Sequence, residues 1–370
     1  MHYLFAGGGT AGHINPAIAV AGYLKKADPD CRISFIGTKK GMESRLVPLA
    51  GYDFYTIDVA GFQRKITIKN IFKNIDAAFK ALTSSGRSRR LLKKLAPDVV
   101  IGTGGYVCGP VVMEAARLKI KTALHEANAF PGVTIKMLAP YVDVVMLGMK
   151  AAEEKINCKN PPVITGNPIR SQLTAIDKTA ARQKLGLSED ARMVLSFGGS
   201  LGATNINKAA VHLAKAAGDT GDFYLFHGTG RREYSEFLGN LESAGGNIDD
   251  SHVNIYEYID NMDVLMAAAD LVICRAGAMT VNELEVCKKP SILIPSPYVA
   301  ENHQFHNAMT LKNAGAAEII EEKDLNGEVL LSAVVDLLKD PKKLDLMSEC
   351  AGKEAICDAD HRIADIVMNL

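Results

Sequence analysis

The sequence lacks the patterns that would assign it at once to several classes of protein. Its seven cysteines are an odd number without a Cys-x-x-Cys pair, which argues against a disulfide framework or zinc ribbon and favours a reducing compartment. Its formal net charge is zero and its pI is near 7.1, so the overall charge does not indicate a nucleic-acid partner. No apolar run approaches the roughly 20 residues that span a bilayer.

The N-terminal residues MHYLFAGGGTAGH pass from an apolar segment directly into glycines, with no basic segment before it. This pattern predicts that there is no secretory signal. The 370 residues, 48% of them hydrophobic, are enough for two domains with a core each. We therefore expect a soluble, cytoplasmic α/β protein.

Glycine-rich loops follow predicted buried strands at three places, after residues 3–6, 98–102 and 193–197. The segments FAGGGTAGHIN at 5–15 and FGGSLGATNIN at 197–207 both have the order strand, loop, helix, once in each half of the chain. We infer two Rossmann-like α/β domains that face a cleft, each presenting the loops at the carboxyl ends of its strands.

Pro161 and Pro162, followed by VITGNPIR, indicate the boundary between the two domains. The sequence predicts a first domain over residues 1–163 and a second over 164–349. Helical periodicity continues through the tail, which predicts a C-terminal helix over 350–370 that packs back on the first domain.

Gly7, Gly9 and Gly12 satisfy Gly-x-Gly-x-x-Gly, the fingerprint of a dinucleotide-binding loop. That fingerprint also needs an acidic residue at the end of the second strand, residues 33–36, to hold a ribose. Gly-Thr-Lys-Lys follows that strand instead, so NAD is disfavoured and no cofactor is expected. A loop that accommodates phosphate remains the prediction.

His13 ends the first glycine loop at the start of a predicted helix. A single histidine is more often a packing or hydrogen-bonding residue than a catalyst. At this place the positive end of the helix disfavours the imidazolium, and the neutral ring can act as a general base. We predict the catalytic role.

Residues 271–283 contain a buried-strand run, the small residues Ala276, Gly277 and Ala278, and a helix start. Thr280 with Glu283 three residues later fits a capping box. A strand, a small-residue loop and a helix N-terminus together form an anion site, because free backbone N–H groups and the helix dipole point the same way.

Two interpretations exist for the polar residues of this region. Glu283 is either the capping carboxylate of its own helix or an acceptor of hydrogen bonds from a ribose diol. His303 and Gln304, at a second helix start, are either solvated loop residues or donors to sugar hydroxyls.

Residues 64–94 hold ten Lys or Arg and a single acidic residue, Asp76, with interleaved apolar residues at helical spacing. An amphipathic helix that packs on its own domain would show this pattern. A surface that rests on anionic lipid headgroups would show it too, and the strong local charge in a neutral chain favours this second interpretation.

His125, Glu126 and Asn128 cluster at a predicted strand end. A zinc site, a polar wall against a substrate and a buried structural pair are the three interpretations. With one histidine and one carboxylate, a metal is the least favoured.

Six motifs in this order resemble one family. They are GGGTAGHINPAIA, GTGGYVCGP, HEANAFPG, TGNPIR, FGGSLGA and the long segment CRAGAMTVNELEVCKKPSILIPSPYVAENHQFHNA. Together, over residues 4 to about 320, they resemble the lipid I N-acetylglucosaminyltransferases of peptidoglycan synthesis, in glycosyltransferase family 28. The resemblance implies a two-domain GT-B enzyme with no nicotinamide and no obligatory metal.

The resemblance implies that the second domain holds UDP-GlcNAc. Ile259 would meet the uracil through its backbone, Glu283 the ribose hydroxyls, and Gln304 and Asn128 the sugar. Ser200 and the amides around Ala278 would hold the diphosphate, and Thr10 and Arg170 would close the cleft. The implied donor-binding residues are Thr10, Ala11, Gly12, Asn128, Arg170, Ser200, Ile259, Ala278, Met279, Thr280, Val281, Asn282, Glu283 and Gln304.

The resemblance also implies that the first two glycine loops receive the diphosphate of the acceptor and that His13 is the base. The implied chemistry is an inverting displacement in which the 4-hydroxyl of N-acetylmuramic acid attacks C1 of GlcNAc. The implied acceptor-binding residues are Gly8, Gly9, Gly104, Gly105, Tyr106, His125 and Glu126.

The implied partners are UDP-GlcNAc, a polyprenyl-diphosphate-linked acceptor, the cytoplasmic face of the membrane through residues 64–94, and proteins of cell-wall synthesis and division. The chain would be a peripheral membrane enzyme. The alternatives are another GT-B enzyme, such as a UDP-GlcNAc 2-epimerase or a glycolipid synthase, a catalytically silent lipid-binding protein and, more distantly, an NAD(P)-dependent dehydrogenase.

Overall fold

The computed structural model describes residues 1–9, 11–59, 84–169, 171–199 and 201–370. The chain divides into two units, Met1–Ile169 with Asp358–Leu370, and Arg170–Cys357. Each unit is built on its own parallel sheet with helices, which confirms the predicted class of two Rossmann-like α/β domains.

The sheet of the first unit has seven parallel strands in the order β3-β2-β1-β4-β5-β6-β7. Its central strands are apolar and buried along their length, as expected of a parallel sheet covered on both faces. The edge strand β3 was not predicted, because its half-exposed residues lack a continuous apolar run. The strands are β1 (His2–Gly7), β2 (Arg32–Gly37), β3 (Asp53–Thr56), β4 (Val99–Gly104), β5 (Lys121–Glu126), β6 (Val144–Leu147) and β7 (Val163–Ile164).

The first helix begins four residues earlier than the sequence predicts. The prediction placed its start near Asn15 with Pro16 in the first turn, whereas the helix begins at Ala11 and encloses Pro16. The proline removes only the bond to the carbonyl four residues before it, so the first turn forms and includes His13. The helices of this unit are α1 (Ala11–Ala27), α2 (Glu43–Leu49), α3 (helical residues 84–95), α4 (Cys108–Arg117) and α5 (Val133–Leu138).

The sheet of the second unit has six parallel strands in the order β10-β9-β8-β11-β12-β13. Its strands are β8 (Met193–Phe197), β9 (Tyr224–Gly228), β10 (Val253–Tyr256), β11 (Leu271–Cys274), β12 (Ser291–Leu293) and β13 (Ala317–Ile319). Its helices are α6 (Lys178–Lys184), α7 (Thr204–Thr220), α8 (Tyr234–Ser243), α9 (Met262–Ala268), α10 (Ala278–Val286), α11 (His303–Ala314), α12 (Gly327–Leu338) and α13 (Pro341–Lys353).

Both sheets have a topological switch point, where neighbouring strands send their connections to opposite sides. In the first unit β1 lies between β2 and β4, and in the second β8 lies between β9 and β11. A crevice opens at the carboxyl ends of the strands at such a point. The loops after β1 and β4 therefore meet in one unit, and those after β8 and β11 meet in the other.

The tail is two helices, where the sequence predicts one. Helix α13 ends at Lys353, and α14 (Ala359–Met368) begins after a break that neither proline nor glycine marks. Helix α14 belongs to the first unit, where Ile363, Ala364 and Val367 join the core beneath α1. In the part of the chain that the structure describes, no helix combines the length and the apolar content needed to cross a bilayer.

Asp270, just before β11, joins three elements of the second unit. Its Oδ2 accepts from Arg182 Nη2 at 2.6 Å and from the amide of Met193 at 2.8 Å. Its Oδ1 accepts from Lys178 Nζ at 2.6 Å. The Arg182 side chain is 4% exposed and that of Lys178 is 51% exposed, so one carboxylate serves a buried cation and an exposed one.

We expect Asp270→Ala to destabilise the second unit by about 3 kcal/mol or more, because it leaves the Arg182 guanidinium buried without a counter-charge. Lys178→Ala removes only the exposed partner and should cost less than about 1 kcal/mol. Native-state hydrogen exchange of the β8 and β11 amides measures both values locally. Equal losses in the two variants would contradict this distinction.

Candidate active site

The two glycine loops of the first unit pack directly against each other. The amide of Gly8 donates to Gly104 O at 3.3 Å. A Cβ on Gly105 would lie 2.2 Å from Gly8 O, and the positive φ of 82° at Gly105 also requires glycine. Tyr106 follows at the surface and is 56% exposed. Four of the predicted acceptor residues, Gly8, Gly104, Gly105 and Tyr106, therefore come together here.

His13 lies where these loops meet. Its Nδ1 is 3.1 Å from Gly8 O, and a Cβ on Gly104 would lie 3.0 Å from its Nε2. A carbonyl oxygen only accepts, so Nδ1 must be the donor, and in the neutral ring Nε2 carries the lone pair. The basic nitrogen thus lies beside the second glycine loop, which is the arrangement that a general base for a substrate held there requires.

Ala11 and Gly12 are the first two residues of α1, so their amides belong to its N-terminal turn. Thr10, which precedes them, lies outside the described residues, as do Arg170 and Ser200. The contacts predicted for these three stay predictions.

No sequence pattern selects Glu43, yet this residue is 1% exposed and its carboxylate lies against the first glycine loop. Its Oε2 accepts from the amide of Gly9 at 3.1 Å. Its Oε1 accepts from the amide and hydroxyl of Thr38 at 2.9 and 2.8 Å. Burial alone would raise the pKa of Glu43, but the hydrogen bonds outweigh it and hold the pKa below its usual value.

His125, Glu126 and Asn128 form internal bonds at the end of β5. His125 Nε2 is 3.1 Å from Gly166 O, and burial lowers the pKa of His125 to about 4. Glu126 Oε1 accepts from the backbone and side-chain amides of Asn128, and its Oε2 accepts from Gly132 N at 2.8 Å. Among the described residues there is no cluster of three potential metal ligands. The buried structural pairing is the interpretation that this geometry favours; contacts of the three with substrates stay predictions.

Helix α10 in the second unit begins differently from the predicted capping box. Gly277 takes the N-cap position and has no side chain, and Thr280 is the third helical residue rather than the cap. Glu283 therefore does not complete a capping box, because the small residues let the helix start three residues earlier. The amides of Ala278, Met279 and Thr280 face the carboxyl edge of the sheet as the helix's unbonded first turn.

The residues that follow in α10 hold this first turn in place through buried packing and hydrogen bonds within the helix. The amide of Val281 donates to Gly277 O at 2.9 Å, and its side chain is fully buried. The side-chain amide of Asn282 bonds to Glu285 inside the helix. Glu283 is partly exposed and close enough to Cys274 at the end of β11 to raise the pKa of that thiol beyond the effect of burial.

Three residues that the sequence reasoning did not select fix the loop between β11 and α10. Asn307, fully buried in α11, donates to Ala276 O at 3.1 Å. Arg275 donates to Ile294 O at 3.1 Å and pairs with Glu322, which also accepts from Asn205 at the start of α7. These contacts join the loops after four strands, and only the position of Arg275 directly after a strand gave a local signal.

Gln304 lies in the first turn of α11, where its Oε1 accepts from the amide of Ser296 at 2.8 Å. The two residues before this helix, Glu301 and Asn302, both have a left-handed backbone with φ near 50°. Such strain in non-glycine residues is typical of functional loops. His303 Nδ1 is 2.8 Å from Ala300 O, which makes it part of the same turn.

The last two segments for which contacts with the sugar-nucleotide donor are predicted follow β8 and β10. A Cβ on Gly202 in the third glycine loop would lie 2.1 Å from Thr229 O, so this loop packs closely on the loop after β9. Leu201 in the same loop is 72% exposed. Ile259 follows β10, and its side chain is buried against Gly228. The contact of its backbone with a ligand stays a prediction.

Comparison with known families matches both halves of the chain. Residues 3–147 match the glycosyltransferase family 28 N-terminal domain, and residues 193–363 match the glycosyltransferase family 28 C-terminal domain.

Relatives match over the whole chain. A protein of Acetivibrio thermocellus named UDP-N-acetylglucosamine–N-acetylmuramyl-(pentapeptide) pyrophosphoryl-undecaprenol N-acetylglucosamine transferase is 45% identical, covering 100% of this chain and 98% of its own. A protein of the same name from Caldanaerobacter subterraneus subsp. tengcongensis is 43% identical with 100% of both covered. The crystal structure of Acinetobacter baumannii MurG superposes with a TM-score of 0.81 at 28% identity, covering 100% and 99% of the chains.

The buried carboxyl group of Glu285, which bonds to the side chain of Asn282 in α10, should make the stability of the protein depend on pH. Burial raises the pKa of Glu285 from 4.5 to about 7. Because the unfolded chain then loses the proton first, the free energy of unfolding should fall as pH rises from 4.5 through about 7. In Glu285→Gln this dependence disappears. The free energy of unfolding of the variant, relative to that of the wild type, should therefore be about 2 kcal/mol higher at pH 8 than at pH 5.

Urea denaturation at both pH values measures the difference. Glu349→Gln, at an exposed position of α13, is the matched control and should follow the wild type at both. A difference between Glu285→Gln and wild type that does not change with pH would contradict a protonated Glu285.

Proposed function

The chain belongs to glycosyltransferase family 28, and on this basis we propose that it transfers GlcNAc from UDP-GlcNAc to the 4-hydroxyl of N-acetylmuramic acid in undecaprenyl-diphospho-N-acetylmuramoyl-pentapeptide. The observation that carries the proposal is full-length identity of 45% to a transferase of that name. The relatives' names support this reaction and not an epimerase or a dehydrogenase. The enzyme has the GT-B architecture.

We propose that the second unit binds the donor. The first turn of α10 offers three amides to the diphosphate at the positive end of the helix dipole. Glu283 on the next turn is a carboxylate that can accept from the ribose hydroxyls, and the backbone of Ile259 meets the uracil. Gln304 presents its side-chain N–H₂ to the sugar because its carbonyl oxygen is held by Ser296.

The first unit would bind the acceptor at its paired glycine loops. His13 Nε2 would take the proton of the attacking 4-hydroxyl as the oxygen forms its bond to C1 of GlcNAc. The C1–O bond to UDP breaks in the same displacement, which inverts the anomeric centre. The diphosphate of UDP gains negative charge at that moment, and the amides of α10 stabilise it.

The protein would work at the cytoplasmic face of the membrane. Of residues 64–94, the structure describes only 84–94, and these are helical. Arg87, Arg90 and Lys94 are exposed one turn apart on this helix, although Arg87 also pairs with Asp58 at 3.0 Å. A row of cations suits anionic headgroups. Partners among cell-wall synthesis and division proteins stay a prediction.

The test of the function is release of UDP from UDP-GlcNAc with and without a lipid I analogue. Release that depends on the acceptor, with a disaccharide product, is the expected result. Release or epimerisation without acceptor would retain the donor site and reject the transfer reaction.

His13→Ala should lower kcat by about 100-fold or more, because general-base catalysis contributes roughly that much, and should leave the KM for UDP-GlcNAc within about threefold. Steady-state kinetics with the lipid I analogue measures both. An unchanged kcat would remove His13 from the mechanism.

Glu283→Gln is the control for His13→Ala, because it should change the KM for UDP-GlcNAc rather than kcat. It removes a charged acceptor from the proposed ribose contact and should raise the donor KM by about tenfold or more. If both variants change the same constant, the division into base and donor ligand is wrong.

A further inference from the structure

One peptide group connects Glu43 to His13. The carbonyl of the Gly8–Gly9 peptide, Gly8 O, lies 3.1 Å from His13 Nδ1. The amide of the same peptide, Gly9 N, donates to Glu43 Oε2 at 3.1 Å. Carboxylate, peptide and imidazole therefore form one continuous chain of hydrogen bonds.

The glycines around Glu43 leave no room for it to turn away. A Cβ on Gly8 would lie 2.5 Å from Glu43 Oε1, and one on Gly41 would lie 2.2 Å from both carboxylate oxygens. A Cβ on Gly37 would lie 2.3 Å from Glu43 Cγ. The carboxylate is thus held at one place beneath the loop.

A carboxylate that accepts from a peptide N–H polarises the whole peptide group and makes its carbonyl a stronger acceptor, because hydrogen bonds in a chain reinforce one another in a low-dielectric site. A stronger acceptor at Gly8 O favours the proton on His13 Nδ1 and the lone pair on Nε2. An aspartate in a catalytic triad acts on its histidine directly with the same result.

We propose that Glu43 is a positioning residue for His13 that acts through the Gly8–Gly9 peptide to fix the ring's orientation and tautomer. The proposal rests on the proposed function, in which His13 Nε2 is the base. It also means that the amide of Gly9 is already bonded to the protein's own carboxylate. The amide of Gly8 already donates to Gly104 O, so the acceptor diphosphate would meet the remaining amides of the two loops and those of α1.

Glutamine cannot replace Glu43 in this arrangement. Its two oxygens accept from the amide and hydroxyl of Thr38 and from the amide of Gly9. The N–H₂ group of glutamine would face one of the two amide donors, and the negative charge is lost. Thr38→Val, in contrast, removes one hydroxyl donor and keeps the carboxylate with its bond to Gly9, which makes it the matched control.

The direct readout is the tautomer of His13, measured by ¹⁵N NMR of the full-length protein labelled at histidine, with the His13→Ala spectrum to assign the signals. The wild type and Thr38→Val should show a protonated Nδ1 and an unprotonated Nε2. Glu43→Gln should show a mixture of tautomers. An unchanged tautomer in Glu43→Gln overturns the proposal.

The kinetic readout is the division between kcat and the donor KM. Glu43→Gln should lower kcat by about 10- to 100-fold, the range typical of losing an outer partner of a functional histidine, with a donor KM within about twofold. Glu43→Asp keeps the charge and should recover part of kcat. Equal losses in Glu43→Gln and Thr38→Val would indicate a merely structural carboxylate and overturn the proposal.

The two readouts separate this proposal from the proposed function. The tautomer needs no acceptor, so a wild type without transferase activity but with the expected NMR pattern rejects the reaction and keeps the role of Glu43 towards His13. If Glu43→Gln fails to fold, Glu43→Asp is tested instead, because its shorter side chain draws the carboxylate away from the amide of Gly9. A wild-type tautomer of His13 together with a wild-type kcat in Glu43→Asp, once the loss of the Gly9 contact is established, overturns the proposal.

Discussion

The close packing of two glycine loops at the switch point of the first sheet is the constraint on which the candidate site depends. Gly8 and Gly105 approach to a distance that leaves no space for a Cβ, and the Gly8 amide bonds to Gly104. Only because these backbones touch can His13, on the helix after one loop, place its Nε2 beside the other. A side chain larger than hydrogen at Gly105 would separate the loops and move the basic nitrogen away from the second one.

The second unit also presents backbone amides at the carboxyl edge of its sheet, but contacts from neighbouring elements hold them there rather than the packing of two glycine loops. Its helix α10 begins at small residues, so its first amides are accessible at the edge of the sheet. The small residues Ala276 and Gly277 offer few side-chain atoms to fix this loop, and neighbouring elements supply the contacts. Asn307 holds the carbonyl of Ala276, and Glu322 joins Arg275 to the start of α7. Rigid amides would cost no reorganisation when charge develops on a leaving diphosphate, so in the proposed reaction these buried partners would contribute by holding the amides in place.

The sequence allowed the fold to be predicted, and it indicated where the candidate site lies, because both inferences depend on local patterns. Continuous apolar runs such as residues 271–274 predict buried parallel strands, and glycines directly after them predict loops that approach a ligand. The helix start at Ala278 was missed because Thr280 and Glu283 fit a capping box equally well, and the geometry of the preceding turn decided between them. Glu43 and Glu322 act on loops far away in sequence, 34 residues away for Gly9, so no local pattern could reveal them.

The position of Glu43 also gives a physical reason, beyond the sequence pattern, to disfavour dinucleotide binding at Gly7-x-Gly9-x-x-Gly12. Such a site needs a carboxylate near the end of the second strand whose oxygens are available to a ribose. The first unit does have a carboxylate there, since Glu43 bonds to Thr38 directly after β2. Its oxygens already accept from Thr38 and Gly9 beneath the loop, and a ribose would have to displace those bonds in a space enclosed by Gly8, Gly37 and Gly41. The acidic group that would hold a cofactor in a dehydrogenase is here directed inward, towards the peptide that orients His13.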